Sequence, residues 1–238
     1  MSIFRSAISA IGRAFSEWNG GAVYTGWKRR WPQPVVDCDT DSAVSLIRRY
    51  YGKRADGRPV YSGSQFESVA ARNAHPDTIG PDEFSAVSLL SVAVTGHAAL
   101  RLLSQADEIA RLLARIPNVD IVDAEPDILE SGSAPANQLW KLLRSGKDGI
   151  GRTTTSKLMA AKRPRLIPIW DSFIEHATGL DTIGYWRRFQ LVLLADDRRI
   201  WNWLNDVRGN VPGLPDHVST LRVLDVLLWM LVETDALN

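Results

Sequence analysis

Cysteine is almost missing from this chain: Cys38 is the one thiol in 238 residues. A single cysteine excludes an internal disulfide and a thiolate cage for zinc or an iron–sulfur cluster. That composition fits a reducing cytoplasm. Cys38 is a nucleophile by type, but no partner for it is visible in the sequence, and an isolated cysteine is ordinarily inert. Long apolar runs are missing too. The most apolar stretch, Val226 to Val232, is far shorter than the ~20 residues of a membrane span. It follows Asp225 directly and reads as a buried C-terminal helix. There is no surplus of charge either: 28 Lys and Arg against 27 Asp and Glu leave a net +1. A nucleic-acid binder with that balance must concentrate its positive charge in one place. The second half shows no convincing alternation of apolar and polar residues, and the chain has no repeat or low-complexity tract.

Helical periodicity is what the chain does have. Phe4, Ile8, Ile11, Phe15 and Trp18 share a helical face, and Arg5 and Arg13 interrupt any signal-peptide core. After Gly20-Gly21 and the basic, aromatic TGWKRRWPQP, a helix is expected over 42–51. Phe84, Val87, Leu90 and Val94 predict one helix, and the stripe from Ala99 to Leu113 predicts another, ended by Pro117. Helices follow at about 139–143, 153–161, from Asp171, and over 183–194, 200–207 and 218–233, with Pro164 and Pro168 forcing an extended linker. The expected fold is all-α, a single domain in two lobes. Residues 84–170 form a helical bundle with a hairpin at about 139–161, and residues 1–83 with 171–238 form the second lobe.

The informative segment is LWKLLRSGKDGIGRTTTSKLMAAKRPRLIPIWDSFI, residues 139–174. Gly149-Ile150-Gly151 sits between two helices. Glycines there permit positive φ and close approach, Ile150 plugs the turn into the core, and the unpaired amides of the next helix suit phosphate oxygens. From Lys141 to Arg165, eight basic residues stand against one acid, Asp148, a net +7 on a chain whose remainder nets −6. Such a block is the electrostatic footprint of a DNA backbone site, or else a solvated helix face. Ile167-Pro168-Ile169-Trp170 then delivers Asp171 to a helix start. Asp171 caps that helix, with Ser172 and Glu175 as a capping box, and the dipole favours an anion there. Capping and catalysis are compatible.

Together these residues resemble the helix-hairpin-helix DNA glycosylase superfamily, the group that includes endonuclease III, and within it an actinobacterial-type branch. GIGRTTTSK is similar to the superfamily hairpin L-P-G-V-G-x-[K/x]-T-A, and IPIWDS to the apolar run ending in V-D-T. From Thr153, where bifunctional members carry a lysine, to Asp171 is 18 residues. Leu89-Leu90-Ser91-Val92-Ala93-Val94-Thr95 resembles the L-L-S-x-Q-x-T helix end that enters DNA. The likeness spans about residues 84–175. The chain departs from the pattern at Asp148, which replaces the hairpin proline, and at Ala93, which replaces the glutamine that fills the hole left by a flipped base. His97 is the nearest substitute wedge, and no cluster cysteines follow Asp171.

The resemblance implies a cytoplasmic, nucleoid-associated monomer that acts on double-stranded DNA with a flipped base, using no metal or organic cofactor. Asp171 is the implied catalytic carboxylate. Gly149, Gly151, Arg152, Thr153, Thr154, Lys157 and Lys147 are the implied DNA contacts. Trp170, Tyr61, Gln65, Phe66, Ala93 and His97 are candidates for base pocket or wedge; Glu67 could assist, and Tyr185-Trp186 are further candidate walls. Thr153 has no amine, and Lys157 lies a helical turn further along, about 6 Å along the axis. The expected activity is therefore monofunctional base excision, in repair or in defence against phage DNA with modified bases. A non-catalytic DNA-binding module and a helical interaction protein with an incidental glycine turn are the alternatives.

Overall fold

Prolines and polar caps set the helix boundaries in the computed structural model, which describes residues 26–235. The expected helix over 4–18 lies outside the described residues. The helices are α1 Gln33–Val36, α2 Thr40–Tyr51, α3 Phe66–Ala70, α4 Pro81–Ser88, α5 Gly96–Ser104 and α6 Ala106–Leu113. They continue as α7 Pro126–Glu130, α8 Pro135–Leu143, α9 Arg152–Lys162, α10 Ser172–Thr178, α11 Tyr185–Gly209 and α12 Thr220–Asp235. Among the described residues there is no strand, and Lys53 and Pro59 form an isolated bridge. The fold is all-α, as the periodicity predicts. Pro81, Pro126 and Pro135 open their helices, where a missing N–H costs nothing. Asp39 and Thr95 cap α2 and α5 by accepting from Ser42 N and Ala98 N. Among the described residues no helix is long and apolar enough to cross a membrane.

Two expected elements differ. Leu90 and Val94 fall outside α4, because the chain turns at Ser91, which adopts φ +61°, and then runs extended to cap α5 at Thr95. The stripe from Ala99 to Leu113 is two helices, broken at Gln105. The two helices expected over 183–194 and 200–207 are present: α11 is interrupted at Ala195–Arg198, where three residues are left-handed, and is helical on either side. Ion pairs Lys28–Asp196 and Arg198–Asp123, both 2.8 Å, hold that interruption.

The buried apolar residues form one connected core. Its axis is α12, where Leu221, Val223, Leu224, Val226, Leu227, Leu228 and Met230 are all fully buried against α2, α10 and α11. Each such side chain contributes roughly 1.5–3 kcal/mol of burial. This core also claims much of the basic block. Lys162 donates to Glu83 at 2.9 Å, and that fully buried carboxylate also accepts from Gly80 N and Asn73 Nδ2. Arg163 is buried among the carbonyls of Leu113, Ile116 and Pro76 and the carboxylate of Asp77. Arg165 makes a two-pronged pair with Asp120. The net +7 counted along the chain is therefore not a surface charge of that size. Its exposed members are Lys141, Arg144, Lys147, Arg152 and Arg165, the last paired with Asp120.

Lys162→Met should leave Glu83 as an uncompensated buried charge and cost about 3–5 kcal/mol. Urea unfolding measures this as a lower midpoint at an unchanged slope. A midpoint within error of wild type would mean that the pair does not organise the α4–α9 contact.

Candidate functional site

The hairpin joins α8 to α9. Gly149 takes φ +92°, where a side chain is strained, whereas Gly151 has φ −91° and open space beside it. Of the two hairpin glycines, Gly149 is thus the one that uses positive φ, and Gly151 does not. Ile150 is buried and plugs the turn. Asp148, in place of proline, fastens the hairpin by charge. Arg101 Nε donates to its Oδ2 at 2.6 Å, and the same guanidinium caps the last turn of α8 through Leu142 O and Leu143 O. Hydrogen bonding from Arg101 holds the Asp148 carboxyl below its ordinary value. Thr95 Oγ1 donates to Asp148 O at 2.9 Å, tying the loop after α4 to the hairpin. The first turn of α9 has no side-chain cap. Lys147 and Arg152 are exposed beside it, and the Arg152 guanidinium lies 5.0 Å over the Trp170 ring. Thr154 is buried, so its side chain is not a surface contact.

Behind the hairpin lies a cavity of about 510 Å³. Ser156 Oγ donates to Pro168 O and accepts from Trp170 N, zipping the extended run onto α9. This brings Asp171 to the start of α10, where Oδ1 accepts from Phe173 N and Ile174 N, both at 3.1 Å. Asp171 is itself the helix cap. Its Oδ2 faces Lys157 Nζ at 3.2 Å, and Lys157 also donates to Leu90 O at 2.9 Å. Two expectations about Lys157 are thereby overturned. It is buried, so it is not a surface phosphate contact, and it is not turned away from Asp171. Almost all of α9 is buried, so a residue four beyond Thr153 stays on the cavity wall, and the long lysine chain spans the axial offset. Burial pushes the Lys157 ammonium down, opposed by Asp171.

Aromatic side chains form the remaining walls. Tyr61 stacks on Tyr50 with centroids 5.4 Å apart, and Trp229 meets Tyr61 edge-on at 5.5 Å. Phe173, partly exposed, leans on Trp229. Thr153, Trp170 and the loop Leu89–Val92 also line the cavity. Two lining residues from α12 were not anticipated. Arg222 donates to Glu67 and to Tyr50 Oη, the latter at 3.1 Å. Asp225 Oδ2 accepts from Ile169 N at 3.1 Å, while Oδ1 has no hydrogen-bond partner among the described residues. Burial pushes the Asp225 carboxyl up to about 8, against the pull of Arg222. Two charged residues one turn apart in a nearly continuous apolar helix were the available signal.

Other candidates sit elsewhere. Gln65 is exposed and outside the cavity, and Phe66 is core, packed under the Arg222 guanidinium at 5.4 Å. Glu67 is the partner of Arg222 and does not line the cavity. Ala93 and His97 are exposed and outside the lining, to which Leu89–Val92 contribute. Tyr185 supports the extended run from behind by donating to Ile169 O at 2.7 Å, and Trp186 packs on Trp140. Burial raises the Cys38 thiol, which suits an inert residue.

Asp225 also shapes the response to pH. Between its ordinary value of 3.8 and about 8, the folded chain holds a proton that the unfolded chain releases. Stability contributed by this group therefore declines as pH rises through that window. Asp225→Asn keeps the acceptor for Ile169 and removes the titration. The melting temperature of wild type relative to this variant should fall steadily toward pH 8; a constant difference would contradict a protonated Asp225.

No curated protein and no solved structure matches the chain. Residues 43–232 match a family model, and that span holds every residue lining the cavity, from Tyr50 to Trp229. The chain belongs to the Family of unknown function (DUF6308).

Proposed function

We propose that this protein is a DNA glycosylase that hydrolyses the N-glycosidic bond of a damaged or modified base flipped from double-stranded DNA. The observation that carries the reading is the placement of Asp171. Its carboxylate stands in an aromatic-walled cavity of ligand size, directly behind a hairpin whose helix amides are uncapped. The hairpin amides with Lys147 and Arg152 grip the backbone, and the flipped base enters between Tyr61, Phe173 and Trp229. Bond cleavage develops positive charge on the sugar, which a preorganised anion stabilises. Asp171 supplies that anion and orients or deprotonates the attacking water. The role is repair, or defence against DNA carrying modified bases.

The position of Lys157 favours a second reading. An amine 3.2 Å from Asp171, with its ammonium form disfavoured by burial, supports attack on C1′ with the base as leaving group; the ring C–O bond then opens to give a Schiff base, and β-elimination expels the 3′-phosphate. The product would then be a nicked strand instead of an intact abasic site.

Genomic DNAs of differing modification status, incubated with the protein and probed for abasic sites, test the activity. Asp171→Asn should lose roughly 10²- to 10³-fold in excision rate while binding DNA as wild type does. Equal excision by the variant sinks the mechanism, and binding without excision by either form makes the protein a DNA-binding module. Borohydride separates the two readings: no trapped complex means hydrolysis, and trapping lost in Lys157→Ala means the lysine route. Lys147→Ala and Arg152→Ala should each lower the salt slope of binding by about 1. Lys157→Ala should leave that slope unchanged, and a drop in its slope would return Lys157 to the DNA-facing surface.

A further inference from the structure

We infer that Asp225 is the base-reading group of the cavity, and that the base it reads carries a carbonyl oxygen that accepts a hydrogen bond from Oδ1. The inference rests on the reading that a nucleobase enters here. Asp225 is 3% exposed, lines the cavity and is fixed on the most deeply buried helix. One carboxyl oxygen is taken by the Ile169 amide; the other has no partner among the described residues. The nearest cation does not satisfy it, because the Arg222 hydrogen bonds run to Glu67 and Tyr50.

A proton is the remaining way to neutralise this group. Burial favours it most; Asp171 and Glu67 push the same way, Arg222 pulls against them, and with a value near 8 the carboxyl is protonated at neutral pH. Lys157 is occupied by Asp171 and Leu90 O, and Tyr185 by Ile169 O. Because Ile169 N–H occupies Oδ2, the proton sits on Oδ1 as a donor without an acceptor. A buried donor left unpaired is costly, and an acceptor on a ligand removes that cost. Tyr50 also lines the cavity, and its Oη accepts from Arg222, which leaves its own hydrogen for donation. Such donors match an oxo edge, as in uracil, thymine or hypoxanthine. They oppose adenine, which has no carbonyl and presents an amino group where donor would face donor.

Free nucleobases read this recognition apart from excision. Uracil, thymine, hypoxanthine and adenine are titrated into the full chain and followed by quenching of tryptophan fluorescence, since Trp170 and Trp229 line the cavity. At neutral pH the oxo bases should bind at least roughly tenfold more tightly than adenine. Above pH 8 wild type should lose this preference. Asp225→Asn, whose amide still donates, should keep it at both pH values. Asp225→Leu should weaken oxo-base binding roughly ten- to a hundredfold; if it does not fold, the pH independence of Asp225→Asn decides alone. A preference for adenine, wild-type binding by Asp225→Leu, pH-dependent binding by Asp225→Asn, or no binding of any base by folded wild type overturns the inference. Oxo-base binding that depends on Asp225, without excision of any DNA, would leave it standing and remove the proposed activity. Excision with a KM unchanged in Asp225→Leu would do the reverse.

Discussion

Lys157 and Asp171 face each other across 3.2 Å in a space largely removed from water. Two such charges persist only where hydrogen bonds from the fold offset the loss of water, and the surroundings of this pair supply three. The amides of Phe173 and Ile174 take one oxygen of Asp171, and the Leu90 carbonyl takes a proton of Lys157. Satisfying the carboxylate requires α10 to begin at Ser172, and satisfying the ammonium requires the chain to turn after α4. Ser156 and Pro168 hold the two partners in register. The cavity is what remains between elements whose positions are set by this pair.

The same logic extends outward. Arg222 and Asp225 sit in the apolar heart of α12, where each can be tolerated only with partners. Arg222 has Glu67 and Tyr50. Asp225 has half of what it needs. Its Oδ1 is one of several buried polar atoms without a hydrogen-bond partner among the described residues, with Trp27 Nε1, Trp31 Nε1 and Tyr51 Oη, and Asp225 lines the cavity whereas those residues do not. The hairpin repeats the theme at the surface, where Arg101 and Asp148 perform by an ion pair the stiffening that a proline ring gives elsewhere.

The helical class was legible in the sequence because apolar spacing and proline positions are local signals. So was Asp171, since a carboxylate after an apolar, proline-bearing run reads directly as a helix cap. The break at Gln105 was not legible, as a stripe continues across two helices that share a buried side. Counting charge along residues 141–165 misjudged the surface because linear charge carries no information about burial. Lys162 and Arg163 are consumed by Glu83 and by helix-end carbonyls from distant segments. Lys157 was misplaced for a related reason: its direction depends on α9 being buried nearly throughout, a tertiary fact. Arg222 and Asp225 reach the cavity only because α12 packs behind the extended run before Asp171.

The proposed role of Asp171, stabilising positive charge that develops on a deoxyribose, can be tested without knowing the base. Duplexes carrying either a cationic pyrrolidine or a neutral tetrahydrofuran in place of one nucleotide differ at the reacting centre chiefly by that charge. Wild-type protein should bind the pyrrolidine duplex roughly 10²-fold more tightly or better. Asp171→Asn should erase the difference while leaving tetrahydrofuran binding unchanged. Equal affinity of wild type for the two duplexes would remove that role from Asp171.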